Sequence, residues 1–565
     1  MKIGLISINM YSKNLNFACP LHNYAFQQYL LKKGIQSTII DYVPNYFDNF
    51  NLRNPVEYYT KKIKIWENKY ERALKSGDEK EISLIVEKMR LHTERMKAFT
   101  RLKHEREIRY DKFQSFIDEK YIKTSEKYDS SLLEVEDPEF DCYICVTDAI
   151  WKKEPVVGYE PGFFLASTCM ENKWKISYAA STYFTENADD VDLTRRWISD
   201  IDFISVRESF LRERLEKQVC PNVSHVLDPV LLHDSEFYEP LIVEPQETNY
   251  LLLYYVMNQN PDIIQCALKY AKVHNLKIVE LSDQPMESNS IQDSGVEVIY
   301  RYDVGVEEWL GYIKYANCIF TNSFHACCFS VLFQKVLFAE RRKYDKVGDL
   351  LKCFGLSEFL VDTNNFSEYY TPEVDWEFAQ QQLLVRRNES ENFILNAIDY
   401  ASQNVRPVHD YMKIKQQQEF PLFYSSGNGK CSLTDNLADN YNENLGEVFK
   451  RSKTIEFSPK EKMIKNDGSG TFHFNIFKAD NSKFIGWKLR FRIGGRTFYV
   501  LEDDKVIEVS HYDLKKHGPC KIFGENSSIP VLPYKGIKNC VAIAQWETNI
   551  SLYTKIKNRV KRLFA

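Results

Sequence analysis

The segment Thr321–His325 (Thr-Asn-Ser-Phe-His) lies between two apolar runs, Cys318–Phe320 and Ala326–Phe333. This pattern predicts a strand, a tight turn and a buried helix. The first N–H groups of such a helix lack partners within it and carry the positive end of its dipole, so an anion binds there readily. His325 is expected at the carboxyl end of the strand, where open α/β sheets bind ligands, and imidazole transfers protons near neutral pH. The junction therefore predicts an active site that holds an anion.

Composition limits the class of protein. With 565 residues the chain exceeds one hydrophobic core, so three or four folding units are expected. Its 74 basic and 79 acidic residues give a net charge of -5, which argues against a nucleic-acid binder because phosphate tracking needs a basic surplus. The sequence has no apolar window of about 20 residues and no signal-peptide cleavage site at its start. We therefore expect a cytoplasmic protein.

Residues 1–240 alternate between strand and helix patterns and predict a first α/β lobe. Its first elements are a strand at 2–8, a helix at 21–33 and a strand at 37–42. From 55 to 121 the pattern changes to charged helix, interrupted at Ser76–Asp78. This segment predicts a helical hairpin inserted into the first lobe, with an apolar stripe that packs on that lobe or on a second copy of the chain in an oligomer.

Residues 245–405 repeat the alternation and predict a second α/β lobe. Two successive doubly wound units imply a cleft between them, and the helix at 392–403 is placed to cross back to the first lobe. Residues 406–450 have the Ser, Gly, Asn and Asp content of a linker. Alternating apolar residues within 451–550 predict a small antiparallel β module, with Gly494–Gly495 as a hairpin turn.

Six short motifs occur in an order that resembles the polysaccharide pyruvyl transferase family, over roughly residues 1–405. The motifs are Asn16–Ala18, Val146–Trp151, Ser177–Ser181, Ile204–Glu208, Leu227–Leu232 and Thr321–His325. The resemblance implies two facing Rossmann-like lobes, a GT-B-like architecture. It also implies an enzyme that transfers pyruvate from phosphoenolpyruvate to a sugar of a cell-surface polysaccharide, or of its lipid-linked precursor, and forms a ketal.

The resemblance implies that Arg207 and His325 are the catalytic positions. The donor carries a phosphate and a carboxylate, and a guanidinium binds either group through two hydrogen bonds. Arg207, His325 and the backbone N–H groups of Ser323 and Phe324 are thus the predicted donor-binding groups. His325 can protonate the methylene carbon, take a proton from a sugar hydroxyl or assist phosphate departure, and the sequence leaves these roles open. Phosphoenolpyruvate is the co-substrate, and we expect neither a metal nor another cofactor.

The resemblance also makes Asn16, Asp148 and Trp151 candidates for binding the sugar acceptor. The Trp151 ring can stack on a sugar face, and the Asp148 carboxylate can accept hydrogen bonds from hydroxyls. A buried tryptophan beside a turn-forming aspartate is the competing interpretation. The Asp228–Pro229 pair is interpreted as a turn.

Two other functions remain open. A nucleotide-sugar glycosyltransferase can have the same two-lobed shape, since fold does not fix function, and Glu280 at the end of a strand is its candidate ribose ligand. A scaffold without catalysis, built on the helical insertion and the β module, is the second alternative. The presence of both Arg207 and His325 speaks against the scaffold.

The last residues, 551–565, place Leu552, Ile556, Val560 and Leu563 on one helical face, with five basic residues between 555 and 562. Such a segment is typical of helices that lie in the headgroup layer of an anionic membrane. It predicts peripheral contact with the inner face of the cell membrane. An ordinary helix packed on the β module is the alternative.

Overall fold

The chain divides into two compact units, residues 1–154 with 159–406 and residues 155–158 with 407–565. The computed structural model describes residues 1–47, 50–76, 78–154, 158–170, 173–182, 197–218, 222–256, 260–283, 285, 295–340, 346–406, 419–426, 431–433, 446–451, 454–459, 463–465, 471–472, 477–479, 482–493, 496–502, 506–508, 519–530, 532 and 539–548. No helix in these ranges combines the length and the apolar composition that a membrane crossing requires.

The first unit contains two parallel sheets, one in each predicted lobe. The first lobe has seven strands in the order β3-β2-β1-β4-β5-β6-β7. They are β1 (Ile3–Ile6), β2 (Ser37–Tyr42), β3 (Lys123–Tyr128), β4 (Cys142–Asp148), β5 (Trp174–Ala180), β6 (Phe203–Val206) and β7 (Val223–His225). The second lobe has six strands in the order β10-β9-β8-β11-β12-β13. They are β8 (Tyr250–Tyr255), β9 (Lys277–Ser282), β10 (Val298–Tyr300), β11 (Cys318–Thr321), β12 (Leu337–Glu340) and β13 (Leu360–Val361).

Helices cover both sheets of this unit. They are α1 (Ala18–Lys32), α2 (Val56–Ser76), α3 (Glu79–Arg101), α4 (Lys103–Lys120), α5 (Leu132–Val135), α6 (Ser209–Gln218), α7 (Ser235–Tyr238), α8 (Pro261–Val273), α9 (Val306–Tyr315), α10 (Phe324–Leu332), α11 (Lys346–Cys353) and α12 (Trp376–Gln403). In each sheet the strand order reverses beside its first strand, at β1/β4 and β8/β11. Ligands of parallel sheets bind at the carboxyl ends of such strands. This architecture confirms the predicted two Rossmann-like lobes.

Several predicted elements differ from the structure in their limits. Helix α1 begins at Ala18 rather than residue 21, because the Asn16 side chain accepts a hydrogen bond from the Ala18 N–H and supports an earlier start. The segment 55–121 forms three helices, α2 to α4, instead of a hairpin of two. Asp78 caps α3 by accepting from the N–H groups of Lys80 and Glu81. Strand β3 was not predicted, because it is an edge strand whose short polar pattern resembles a loop.

Helix α12 is longer than the predicted 392–403, and it packs on the first lobe. Ser390 Oγ accepts a hydrogen bond of 2.8 Å from the N–H of Leu227. Arg387 donates to the carbonyl oxygens of Leu231 and His233 at 2.9 and 2.7 Å. The second lobe therefore supplies part of the packing of the first.

The second unit contains a nine-stranded sheet in which β18 and β23 branch from the path β16-β17-β14-β24-β20-β21-β22. Strands β15 and β19 form a separate pair. The strands of this unit are β14 (Glu419–Ser425), β15 (Cys431–Leu433), β16 (Gly446–Arg451), β17 (Thr454–Pro459), β18 (Met463–Lys465), β19 (Phe477–Ala479), β20 (Ser482–Ile493), β21 (Arg496–Val500), β22 (Val506–Glu508), β23 (Ile522–Phe523) and β24 (Asn539–Thr548).

Two features of this unit correct the predictions. Strands β14 and β15 and most of β16 lie within 406–450, which was expected to be a linker, because these short strands are separated by stretches rich in Gly, Ser, Asn and Asp. The sheet is mixed rather than antiparallel, since β14 pairs with β24 in parallel. The predicted turn Gly494–Gly495 and the basic tail 551–565 lie outside the described residues.

Candidate active site

The candidate site contains side chains from the carboxyl ends of strands in both lobes. Asp148 ends β4, Arg207 follows β6, and Asp228 comes shortly after β7. His325 lies in the first turn of α10, directly after β11. Arg207 Nη1 is 2.7 Å from Asp228 Oδ2 and 3.5 Å from His325 Nε2. The structure thus brings together the two residues carried over from separate motifs 118 positions apart.

Arg207 pairs with three carboxylates. Its Nη1, Nη2 and Nε lie 2.7 Å from Asp228, 3.3 Å from Asp148 and 3.3 Å from Glu208. The guanidinium also lies 4.2 Å from the centre of the Phe324 ring, a cation–π distance. Burial would lower the pKa of Arg207, but the carboxylates outweigh burial and raise it. The positive charge that was predicted to bind the donor is therefore already paired with carboxylates of the protein.

Asp228 has two roles, of which only the turn was predicted from the sequence. Its Oδ1 accepts a hydrogen bond from the Val230 N–H and caps the short 3-10 helix Pro229–Leu232, as a turn residue does. Its Oδ2 faces the site and accepts from Thr147 Oγ1 at 2.8 Å as well as from Arg207. Burial would raise the pKa of Asp228, but His325 and Arg207 hold it well below its ordinary value. Asp228 therefore stays ionised near neutral pH.

The imidazole of His325 is oriented by Asp228. Its Nε2 lies 3.4 Å from Asp228 Oδ2, so the tautomer with a proton on Nε2 faces a carboxylate. Within the described part of the chain no partner contacts Nδ1. A ring held through one nitrogen and free at the other is the arrangement that acid–base histidines use.

The first turn of α10 provides backbone donors beside this imidazole. Ser323 Oγ caps the helix by accepting from the Ala326 N–H at 3.3 Å. The Ser323 N–H itself donates to Thr321 Oγ1 at 3.0 Å, so it is engaged within the protein. Among the described residues no acceptor lies on the N–H groups of Phe324 and His325. The backbone N–H groups that remain open at this helix start are therefore those of Phe324 and His325, one position later than the predicted Ser323 and Phe324.

The acceptor candidates have different surroundings. Asp148 borders the Arg207 cluster, and its side chain is 18% exposed. Trp151 is buried instead, with its indole N–H donating to the Phe163 carbonyl at 3.0 Å and its ring stacked on Phe164. Asn16 is half-buried at the start of α1. Of these three, the structure places only Asp148 against Arg207.

Strand β4 ends in an unusual backbone conformation. Thr147 and Asp148 have φ values of 31° and 65°, in a region that residues other than glycine rarely adopt. Such conformations cost of order 1–3 kcal/mol each and collect at functional sites. Here the Thr147 hydroxyl contacts Asp228, and the Asp148 carboxylate contacts Arg207. The strained strand end thus supplies two contacts of the site.

A buried lysine, which the sequence analysis did not identify, lies on the other side of Arg207. Lys346, the first residue of α11, donates to Ser181 Oγ at 2.5 Å and lies 3.6 Å from Glu208 Oε1. Ser181 in turn donates to the same Glu208 oxygen. Burial lowers the pKa of Lys346 to about 8, although Glu208 opposes this shift. No periodicity or motif in the sequence marks Lys346.

A second histidine lies near the first. The ring centres of His22 and His325 are 5.9 Å apart, and His22 Nε2 is 3.0 Å from Ser7 Oγ. Burial lowers the pKa of His22 to about 4, while Asp148 opposes it and His325 adds to it. His22 is therefore a neutral neighbour of His325 near neutral pH.

Glu280, the candidate ribose ligand, lies elsewhere in the second lobe and is buried. Burial raises the pKa of Glu280 to about 7, Arg109 opposes the shift, and Asp283 adds to it. A carboxyl that is partly protonated at neutral pH is a weaker acceptor for ribose hydroxyls than an ionised one.

Comparisons with known proteins bear on this site. A protein-family model described as "Polysaccharide pyruvyl transferase" matches residues 21–339, more than half of the chain. The match includes Asp148, Arg207, Asp228 and His325. No curated protein matches the sequence.

Solved structures show only a distant likeness. The UDP-N-acetylglucosamine 2-epimerase of Rickettsia bellii is 9% identical, with 72% of this chain and 99% of that chain covered and a TM-score of 0.35. The UDP-GlcNAc 2-epimerase of Neisseria meningitidis is 13% identical, with 73% and 98% covered and a TM-score of 0.32. T4 phage BGT is 10% identical, with 71% and 98% covered and a TM-score of 0.29. The two-lobe assignment rests on the strand orders given above.

Proposed function

This chain belongs to the polysaccharide pyruvyl transferase family, and from that premise we propose that it transfers pyruvate from phosphoenolpyruvate to two hydroxyls of one sugar. The product is a cyclic ketal on a cell-surface polysaccharide or its lipid-linked precursor. The observation that carries the proposal is the contact of Arg207, Asp228 and His325 between the two lobes. This group combines an anion-binding cation with an oriented imidazole.

Donor binding follows from the open groups at this site. The N–H groups of Phe324 and His325, at the positive end of α10, are positioned to receive the phosphate. The donor carboxylate would replace Asp148 at Arg207 Nη2. This contact is the replaceable one, since it is longer than the 2.7 Å contact with Asp228, and Asp148 is more exposed than Asp228 or Glu208. Arg207 keeps its partners Asp228 and Glu208 in this exchange and stays in place.

His325 supplies the acid step. A proton passes from Nδ1 of the imidazolium to the methylene carbon of the donor, which becomes a methyl group and leaves an oxocarbenium-like centre at the neighbouring carbon. Nε2 keeps its proton and its contact with Asp228, so the carboxylate stabilises the charged ring before the transfer. A positioned acid of this kind contributes roughly 10²- to 10⁴-fold in rate.

The acceptor attacks the activated carbon from the side of Asp148. Once the donor carboxylate has replaced it at Arg207, the Asp148 carboxylate is available to accept a hydrogen bond from a sugar hydroxyl. Which sugar it receives, and whether a lipid carries that sugar, are questions for substrate screening. The peripheral membrane contact of the tail stays a prediction.

Phosphate release tests the proposal. The full-length protein is incubated with phosphoenolpyruvate and a panel of methyl hexopyranosides, and phosphate and the mass of the sugar product are measured. We expect phosphate release that depends on one or more sugars, a product carrying ketal-linked pyruvate, and loss of both in His325→Ala. Thermal stabilisation by UDP but not by phosphoenolpyruvate, without phosphate release, would instead favour the nucleotide-sugar alternative.

A further inference from the structure

The proposed reaction moves two sugar protons, and the single transfer assigned to His325 accounts for one of them. Two sugar O–H bonds break and two C–O bonds form at the carbon that bore the phosphate. The bond from that carbon to the phosphate oxygen breaks, and its electron pair leaves with the phosphate. One proton ends on the methylene carbon, and the other must leave the second hydroxyl and reach phosphate or water. A second proton-transfer group would carry that proton without requiring His325 to recover its own proton and act again, and this inference rests on the proposed function.

The aspartates of the site are unsuited to that task. Arg207 contacts both Asp148 and Asp228, and His325 contacts Asp228. Burial would raise the pKa of each carboxyl, but Arg207 and His325 hold both well below the ordinary value, and His325 continues to lower that of Asp148 when the donor carboxylate has replaced it at Arg207. A base with so low a pKa takes little of a hydroxyl proton at neutral pH. The remaining candidates lie on the opposite edge of the Arg207 guanidinium.

Lys346 lies on that opposite edge. His325 is at the Nη1 end of the guanidinium, while Glu208, which Lys346 approaches to 3.6 Å, is at the Nε end. Lys346 comes from the second lobe and Glu208 from the first, so the amine is placed by the contact between the lobes. The two proton-transfer groups would then flank one donor held on Arg207.

Glu208 gives a second, independent observation. Its side chain is fully buried, and its Oε1 contacts Ser181, Arg207 and Lys346. Its Oε2 is buried and has no hydrogen-bond partner within the described residues. A buried carboxylate oxygen without a donor is costly, so it calls for a ligand group that donates. A sugar hydroxyl is such a donor, whereas the anionic phosphoenolpyruvate is repelled.

We propose that Lys346 is the second proton-transfer residue of this site: its amine takes the proton of the sugar hydroxyl that closes the ketal, and Glu208 holds that hydroxyl. The ammonium formed then passes its proton to phosphate or water. A buried lysine beside a carboxylate is a known type of general base, because burial favours the uncharged amine.

The surroundings of Lys346 determine its pH response. Among the described residues, the charged and titratable groups on the elements packed around it are Glu208, Arg207 and Asp148 of the first lobe, His325, Cys327 and Cys328 of α10, Asp349, Lys352 and Cys353 of its own helix, and Glu358 of the 3-10 helix Ser357–Phe359. With a pKa of about 8, the amine gains its basic form as the pH rises through that value. Turnover needs this neutral amine together with protonated His325, so the wild-type rate should follow a bell-shaped pH profile in which the amine causes the rising limb.

The test compares Lys346→Arg, which keeps the positive charge but cannot release its proton near neutral pH, with Lys352→Met. Lys352 lies on the same helix and is exposed, so this variant is a matched control. Phosphate release from phosphoenolpyruvate is measured from pH 5 to 9.5 with the methyl hexopyranoside that gives the highest wild-type rate. We expect Lys346→Arg to lose about 10²-fold or more in kcat, with little change in the KM of the donor, and to lose the rising limb of the pH profile.

Other outcomes overturn the inference in distinguishable ways. Wild-type kcat and pH profile in Lys346→Arg would show that Lys346 carries no proton, while the proposed function stands. A raised donor KM with unchanged kcat would make Lys346 an anion-binding residue instead. Absence of phosphate release by the wild type with every sugar of the panel would overturn both the function and this inference. These outcomes require a folded variant that binds the donor, which thermal stabilisation of Lys346→Arg by phosphoenolpyruvate would establish.

Discussion

Buried arginines join the two lobes in two places, and their surroundings differ. At the candidate site, Arg207 is paired with three carboxylates. At the inserted helices, Arg106 and Arg109 of α4 contact carbonyl oxygens and aromatic rings. Arg106 donates to the Leu52 carbonyl at 2.8 Å and to the Tyr302 hydroxyl at 3.0 Å. Arg109 donates to the Leu15 carbonyl and lies 4.1 and 4.8 Å from the ring centres of Phe17 and Tyr302.

The difference shows in the pKa values. Burial lowers the pKa of Arg109, and its surroundings do not reverse that shift. At Arg207 the carboxylates outweigh burial and raise the pKa, and Arg207 in return lowers the pKa of Asp148 and Asp228. Burial of an arginine is thus no sign of chemistry by itself. The titratable groups gathered around Arg207 distinguish the candidate site from a packing contact.

The largest expected effect is that of Arg207→Met. Removing the cation takes away the partner that three buried carboxylates share, and losing one partner of a buried ion pair costs about 3–5 kcal/mol. We expect phosphate release to fall by about 10³-fold or more. The paired aspartates have lowered pKa values, so their contribution to stability is present above their ordinary pKa and needs Arg207. In the variant their pKa values rise, and acid relieves the repulsion. The deficit in Tm should therefore be larger at pH 8 than at pH 5.5, and an equal deficit at both would contradict the pairing.

Asp228→Asn tests the orientation of His325 with a smaller structural disturbance. The amide oxygen can still cap the Pro229–Leu232 turn, but it no longer stabilises the imidazolium. We expect kcat to fall by about 10²- to 10⁴-fold while the KM of phosphoenolpyruvate changes little. Asp234→Asn is the control, because Asp234 also caps a short helix by accepting from the Phe237 N–H. A similar loss of kcat in both variants would show that capping, not catalysis, explains the effect.

Arg106→Met should affect stability alone. The change leaves the Leu52 carbonyl and the Tyr302 hydroxyl without this donor, at a cost of about 1–3 kcal/mol. Chemical denaturation of the variant should show a lower midpoint, while kcat at a temperature where it stays folded should equal that of the wild type. A lowered kcat under those conditions would erase the distinction between the two groups of arginines.

The smallest effect is expected for Glu280→Gln, beside Arg109. The pKa of Glu280 is raised from 4.5 to about 7, so the folded protein holds a proton that the unfolded chain releases. This group therefore stabilises the wild type below pH 4.5 and loses that contribution as the pH rises through 7. Glutamine cannot ionise, so the difference in Tm between variant and wild type should grow in favour of the variant from pH 5 to 8. A constant difference would show that Glu280 does not titrate in that range.

The parts of this molecule that could be predicted from the sequence are those with a strong local pattern of apolar residues. The junction 321–325 follows an apolar strand and precedes an apolar helix, so its strand, turn and helix were predictable. Arg207 and His325 came from motifs, and the structure places them in contact. Asp228 was interpreted as a turn because its neighbour is proline, and that role is real but incomplete. Charge pairing over long sequence separations has no local signal, so the role of Asp228 needed the folded chain.

Other differences have related physical causes. Strand β3 pairs along the sheet edge with few apolar residues, so its pattern gave little sign of it. Trp151 shows the limit of reasoning from residue type, since a ring suited to stacking on sugar is also suited to the core. Lys346 lies in no motif, and only the contact between the lobes brings its amine to Glu208.

The long helix α12 has a consequence for how the protein is made. The first lobe leaves the ribosome well before the middle of α12 is synthesised, yet Ser390 and Arg387 of that helix contact Leu227, Leu231 and His233 of the lobe. Domains that emerge early usually fold as they emerge. Here the first lobe lacks its contacts with α12 during synthesis, until the residues of that helix have left the ribosomal tunnel. Chaperones therefore have a defined interval in which to bind this chain, and fragments that stop before α12 should be short-lived in the cell.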